Sequence, residues 1–274
     1  MILIAENLNS SIPAVKRALA EHDEAWLKAL IAQLDASPAA YLDINAGIFH
    51  EQETAYLTLL AELALAGSRK PLVLDSPDPA VLCSVCRSLP ADKMKDRLID
   101  PGQPGMILNS ITLEENRYQA MLNLALTYKA GLVALLMDAG RMPQGVQERL
   151  RIADMLVSRL TSSGIPAERI FLDPMVRPVS TDDQAGLEAL QVIKTLRVRY
   201  PDVHVVVGLS NVSYGLPARK YLNQAFLLQA MAMGLDSAIL NTLDYDLVAL
   251  YRAGLSLLGQ DEYCMDYLNC YRPS

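Results

Sequence analysis

The chain has 274 residues, 51% of them hydrophobic and 20% charged, a composition that fills a large core and excludes extended disorder. Its net charge of −7 argues against a nucleic-acid partner, which needs a basic stripe. No apolar run reaches the ~18 residues of a membrane span, and no charged leader precedes the first strand, so a cytoplasmic location without a membrane partner is expected. No linker or low-complexity tract divides the chain, so residues 1–274 are expected to form one domain, with 260–274 as a tail.

Taken in order, short apolar runs alternate with helical stretches. Strand one is read at Ile2 to Ala5. One long helix follows, from about Ile12 to Leu34, with Ser11 as its N-cap and Pro13 early, where proline is tolerated. Strand two is Tyr41 to Ile44, and its helix runs from Glu53 to Ala66, stopped by Gly67. After strand three, Leu72 to Leu74, the pair Asp78-Pro79 opens a helix to Leu89. Strand four, Met106 to Leu108, precedes a helix from Glu114 to Lys129 that Gly131 stops. Strand five is Leu132 to Met137, with a helix from Gln144 to Ser162 and Gly164 behind it. Strand six is Ile170 to Leu172, and Asp182-Asp183 starts the next helix, to Arg199. Strand seven is Val205 to Val207, followed by a helix from Arg219 to Met233 that ends at Gly234. Strand eight, Ala238 to Leu240, and a helix from Asp244 to Leu258 complete the series. Eight β-α units with fully apolar strands predict a closed parallel (β/α)8 TIM barrel. A doubly wound sheet fits less well, because no G-x-G-x-x-G follows strand one.

The strand ends carry the chemistry. Glu6, Asn7, Asn9, Asp43, Asn45, Asp75, Asn109, Asp138, Asp173, Ser210, Asn211 and Asn241 all fall at the C-terminal ends of strands, the face where such barrels keep their sites. Taken singly, each carboxylate could instead cap the helix that follows. The ring holds no lysine for a Schiff base, and the last two strands lack phosphate-binding glycine loops. Histidines 22, 50 and 204 are far apart, and Cys83 and Cys86 form a CxxC within a helix, so no zinc pattern arises and no bound metal is expected. Carboxylates with amides suit a hard oxygen-seeking metal or a flat heterocycle rich in N–H groups. The 2-amino-4-oxo edge of a pterin is such a heterocycle, since a carboxylate accepts two adjacent N–H bonds and an amide reads a mixed edge.

Here the residues resemble a family. The stretches AENLNSS, YLDINAG, LVLDS, ILNSI, FLDPMVRPV and GLSNVSYGLPARKYLNQAFLLQAMAMGLDSAILN, in this order, are similar to those of pterin-binding methyltransferases that move methyl groups between methyltetrahydrofolate and a corrinoid protein. The resemblance implies that Asp75, Asn109 and Asp173 bind the pterin edge and that Asn211 lies near N5, the nitrogen carrying the methyl. Glu6, Asn7, Asp43, Asn45, Ser210, Arg219 and Asn241 match further polar positions. Arg219 would help close its loop over the pterin, and Ile111 stands where the family has a polar residue. Tetrahydrofolate would be the substrate, the corrinoid (a cobalamin) would arrive on a partner protein, and a homodimer is implied, with the Phe226 to Met233 helix as a candidate surface. The stretch Asp202 to Gly208 looks like a corrinoid-binding D-x-H-x-x-G but has one residue too many, and His204 enters strand seven at the barrel's bottom. Two alternatives remain: a dihydropteroate synthase-like enzyme, whose usual N-x-T-x-D-S-F segment is absent at Asn9-Ser10-Ser11-Ile12, and a non-catalytic folate-binding barrel.

Overall fold

The computed structural model describes residues 1–90, 103–138 and 141–272. Eight parallel strands close into a barrel in chain order: β1 Ile2–Asn9, β2 Tyr41–Asn45, β3 Leu72–Asp75, β4 Met106–Ile111, β5 Gly131–Leu135, β6 Ile170–Asp173, β7 His204–Gly208 and β8 Ser237–Leu240. Closure is direct, since Ile2 to Ala5 pair in register with Ser237 to Leu240. Outside the strands lie α1 Pro13–Ala20, α2 Glu24–Ala36, α3 Glu53–Gly67, α4 Pro79–Ser88, α5 Glu115–Tyr128, α6 Gly145–Ser162, α7 Ala185–Arg199, α8 Arg219–Ala232 and α9 Tyr245–Leu257. A short helix, α10 Met265–Tyr271, ends the tail and is tied down by Asp261, which accepts from the Asp266 and Tyr267 backbone N–H groups at 3.0 and 3.1 Å.

The strands explain why the polar ring exists. Ile4, Tyr41, Val73, Ile107, Val133, Phe171 and Val206, one from each of β1 to β7, form a buried cluster inside the barrel, and Ile239 of β8 packs on it. Successive side chains of a strand face opposite ways, so the residue two positions on shares the inward face. Those residues are Glu6, Asp43, Asp75, Asn109, Leu135, Asp173, Gly208 and Asn241. An apolar plug thus supports a polar floor, and the floor is one layer nearer the C-terminal mouth.

Several helix boundaries differ from the sequence reading. The single first helix is two, parted at Glu21-His22-Asp23, where His22 takes a φ of +53° and Asp23 caps α2 by accepting from Trp26 N–H at 3.0 Å. Ser11 is not a cap; its N–H donates to Asn9 Oδ1 in the turn before α1. Gly67 is the last residue of α3 and has no left-handed φ; a Cβ there would stand 3.1 Å from Ile31 Cγ2, so its smallness serves packing on α2. Gly131 opens β5 instead of stopping α5, which ends at Lys129 in the left-handed conformation. The Phe226 to Met233 stripe faces this chain's own core: Phe226, Leu227, Ala230 and Met231 are buried, so it is not a free dimer surface. His204 is spent at the bottom, its Nδ1 2.9 Å from Asp236 and its ring stacked on Phe171. The CxxC lies in α4, where burial pushes the Cys86 thiol up to about 12.

Candidate active site

Strand register sets the first part of the site. Asn45, Asp75 and Asn109 stand side by side on β2, β3 and β4. Asn45 Nδ2 donates to Asp75 Oδ2 at 2.9 Å, and Asn45 Oδ1 accepts from Gly47 N–H at 3.0 Å, which fixes the amide's orientation. Asp75 and Asn109 line a cavity of about 400 Å³ with Ser110, Arg117, Leu135 and Met137. Burial raises the Asp75 carboxyl to about 6, against the lowering effect of the Asn45 bond. Next to Leu135 in register, Asp173 ends β6. Its Oδ1 accepts from Met175 N–H at 2.7 Å, and burial raises it too to about 6. A carboxylate at this pKa is mostly ionised at neutral pH yet holds little solvent, so it is primed to accept N–H bonds from a ligand.

The second part lies across the mouth. Glu6, Ser210, Arg219 and Asn241 line a recess of about 210 Å³. Ser210 Oγ donates to Glu6 Oε2 at 3.3 Å, and Asn7 Nδ2 donates to Asn241 Oδ1 at 2.7 Å. Burial raises the Glu6 carboxyl above its ordinary range. Arg219 does not reach over the mouth as a free cation. It donates to Ser210 O at 2.6 Å and to Ser213 Oγ at 3.0 Å, locking the 3-10 turn Leu209–Ser213 that carries Asn211. Gly208, the inward residue of β7, makes room for that turn: a Cβ there would stand 3.0 Å from Asn211 Nδ2. The Asn211 amide therefore folds back over the end of β7.

Asp43 joins the two parts. It is buried, its Oδ1 has no partner, and its carboxyl is pushed up by burial first and then by the charges of Asp75 and Glu6. Burial and the two neighbouring carboxylates both favour its neutral form. Two strand-end residues stand apart. Asp138 pairs with Arg151 at 3.7 Å towards α6, and Asn9 shapes the turn before α1. Among the described residues, no group of three or more His, Cys, Asp or Glu is arranged to hold a metal ion.

The family model described as "Pterin binding enzyme" matches residues 93–241. The methylcorrinoid:tetrahydrofolate methyltransferase of Eubacterium limosum is 35% identical over 277 aligned residues, covering 99% of this chain and 96% of that protein. The chain belongs to the pterin-binding enzyme family. Methionine synthase of Mycobacterium tuberculosis is 29% identical over 215 residues, 74% of this chain but 17% of that larger protein. Among solved structures, a Yersinia pestis dihydropteroate synthase superposes with a TM-score of 0.65 at 15% identity, covering 94% of this chain and 93% of that one. The Xanthomonas albilineans dihydropteroate synthase bound to 7,8-dihydropteroate gives 0.61 at 18%, covering 92% and 93%. Identities this low establish the shared barrel and nothing finer.

Sequence reasoning missed three parts of this pterin-binding enzyme's site. Arg117 on α5 donates through Nε to Ser110 O at 3.0 Å and binds the Pro77 and Ser76 carbonyls, so it pins the loops after β3 and β4 together. An arginine near a helix start carries no signal of this in sequence. Leu135 and Met137 supply the apolar wall of the Asp75 cavity, and period-two counting from Val133 would have found Leu135. Glu53, at the start of α3, is buried with Oε1 unpartnered, and its charge raises Asp75. The sequence marked it only as the first residue of that helix.

Proposed function

We propose that this chain transfers a methyl group between N5 of tetrahydrofolate and the cobalt of a corrinoid carried by a separate protein. The observation that carries the reading is the end-to-end likeness to a methylcorrinoid:tetrahydrofolate methyltransferase, supported by a polar floor suited to a pterin. In the proposed roles, Asp75 and Asp173 accept N–H bonds from the pterin ring and Asn109 reads its mixed edge. Leu135 and Met137 pack against the flat ring. Asn211 donates to N5.

In the direction that demethylates folate, the cobalt(I) electron pair forms the Co–C bond while the C–N5 bond breaks. The C–N5 electron pair stays on N5, which gains a proton. Nitrogen leaves poorly unless charge on it is stabilised, so a donor aimed at N5 strengthens most in the transition state. An amide cannot supply the proton, because it does not titrate. Asp43 is the proposed reservoir: it is the buried carboxyl between the two halves of the site, and it neighbours Glu6, whose carboxyl is also raised. We assign residues 1–274 to one catalytic domain, a cytoplasmic location and a homodimer, which sedimentation velocity would test.

Dihydropteroate synthases share the fold. To separate the readings, the protein is supplied in parallel with methyltetrahydrofolate plus cob(I)alamin and with a pterin pyrophosphate plus p-aminobenzoate. Methylcobalamin in the first reaction alone supports the proposal, and dihydropteroate in the second would refute it.

The carboxyls raised to about 6 give a pH prediction. Only the ionised forms accept two N–H bonds, so pterin affinity is expected to rise with pH, roughly ten-fold per group between about pH 5 and pH 7. Stability of the ligand-free protein runs the other way. These two groups have folded pKa values above the unfolded ~3.9, so the folded state holds extra protons between about pH 4 and 6. Their contribution is fully present below about pH 4 and is lost as pH rises through about 6. Calorimetric titration across this range checks the affinity; a flat profile would remove both carboxylates from the ligand contact.

A further inference from the structure

We infer that a two-arginine clamp, Arg149–Glu188–Arg177, with Arg149 buried and the other two half-buried, fixes the loop between β6 and α7 and through it positions Asp173 and Asn211 against the same ligand. The inference rests on the site reading above.

Glu188 on α7 offers a single carboxylate oxygen, Oε2, to two guanidinium groups, with Arg149 Nη1 at 2.9 Å and Arg177 Nη2 at 2.8 Å. Arg149 comes from α6 and its side chain is 1% exposed; it also donates to Gly145 O at 3.3 Å. Arg177 belongs to the loop 174–184, and its Nη2 lies 2.6 Å from Asp182 Oδ2 in the same loop. Two helices and one loop therefore meet at one carboxylate oxygen. The bonds from the two arginines hold Glu188 below the usual carboxylate range, so it stays charged throughout the neutral range.

The start and the middle of the loop reach the site. At its start, Met175 takes a φ of +60° and its N–H donates to Asp173 Oδ1 at 2.7 Å. Further on, Val179 N–H donates to Val212 O at 3.0 Å and Ser180 Oγ to Tyr214 O at 2.9 Å. Those two carbonyls belong to the segment that carries Asn211. A residue with a left-handed φ and no glycine holds only where its surroundings over-determine it. The clamp supplies that constraint through Arg177, two residues on, and the bonds to Val212 and Tyr214 pass it across to the turn after β7.

Stability does not account for the arrangement. Burying a guanidinium is costly, and well-packed apolar side chains of similar volume often serve stability as well or better. The Nε–H groups of Arg149 and Arg177 are moreover buried without an acceptor. What two planar guanidiniums on one carboxylate provide is fixed geometry. Asp173 ends β6 and Asn211 lies on the turn after β7, and they can serve one ligand only if the segments that follow these two strands keep a common register.

The test is a double-mutant cycle on the full-length protein, with free cob(I)alamin as acceptor at saturating methyltetrahydrofolate. Arg177→Met, in a partly exposed loop residue, is expected to lower the transfer rate about ten-fold or more in the wild-type background. In the Asn211→Ala background the same change is expected to cost less than about three-fold, because the group it positions is gone. Equal losses in both backgrounds, or an unchanged rate, would overturn the inference. Hydrogen exchange provides a second readout that needs no substrate. Arg177→Met and Glu188→Gln are expected to speed exchange of the 209–214 amides, and unchanged protection there would equally overturn it. If the wild-type protein transferred no methyl group, the site reading would fail, and the exchange result would still decide the clamp.

Discussion

Asn211→Ala is expected to slow methyl transfer on the order of 10²-fold while leaving methyltetrahydrofolate affinity within a few-fold of wild type. The magnitude is that of removing one donor aimed at developing charge, where a 10²-fold loss is about 2.7 kcal/mol. The split between rate and affinity follows from position. Asn211 is exposed on a turn over the end of β7, apart from the cavity that Asp75 and Asn109 line. A donor to N5 gains little in the ground state and most as the C–N5 bond breaks, so its loss appears in the rate. Single-turnover kinetics against free cob(I)alamin, with affinity measured separately, makes the comparison. A wild-type rate would remove Asn211 from the chemistry.

Asp75→Asn should have the opposite signature. The change is nearly isosteric, but it turns one acceptor oxygen into a donor within a site proposed to face ligand N–H groups. Its one remaining oxygen keeps accepting from Asn45 Nδ2, now 2.9 Å from Asp75 Oδ2, which turns the new amide N–H groups towards the ligand. A buried donor left facing donors costs about 1–3 kcal/mol, more where a charge-assisted bond is lost. Affinity for methyltetrahydrofolate is therefore expected to fall on the order of 10²-fold, with the barrel's melting temperature unchanged or raised. The rise is possible because an ionised carboxyl held at about 6 by burial is itself a strain on the folded state. Equilibrium binding within about three-fold of wild type would place the pterin edge elsewhere.

Much of this site was legible because a strand leaves a period of two in the sequence. Val73 then Asp75, Ile107 then Asn109, and Phe171 then Asp173 each read as an apolar plug residue followed by a polar floor residue. Six of the eight strands carry this beat, with Leu135 of β5 and Gly208 of β7 the exceptions; the eight strand-helix units identify the barrel, and its C-terminal face follows from the direction of the strands. Contacts between distant segments left no such trace. Arg117 and Glu53 look like ordinary helix-start charges, and only the closed barrel reveals that one pins two loops and the other sits buried beside Asn45 and Asp75. Gly208 read as a lone glycine unfit for a phosphate loop; the structure gives it a different task, as the space that the Asn211 amide occupies. Glycine as a helix stop was right at Gly164 and Gly234, which need φ of +92° and +96°; α3 also ends at Gly67, but there, as at Gly131 in β5, close packing is the reason for the glycine. Composition cannot distinguish these two uses of a missing side chain.

The most direct test of the account is anaerobic mixing of the purified protein with methyltetrahydrofolate and cob(I)alamin while the cobalt spectrum is followed. The cob(I)alamin absorption should decay as methylcob(III)alamin appears, with one tetrahydrofolate formed for each methyl transferred. A cob(I)alamin spectrum that persists in the presence of protein with bound methyltetrahydrofolate would contradict it.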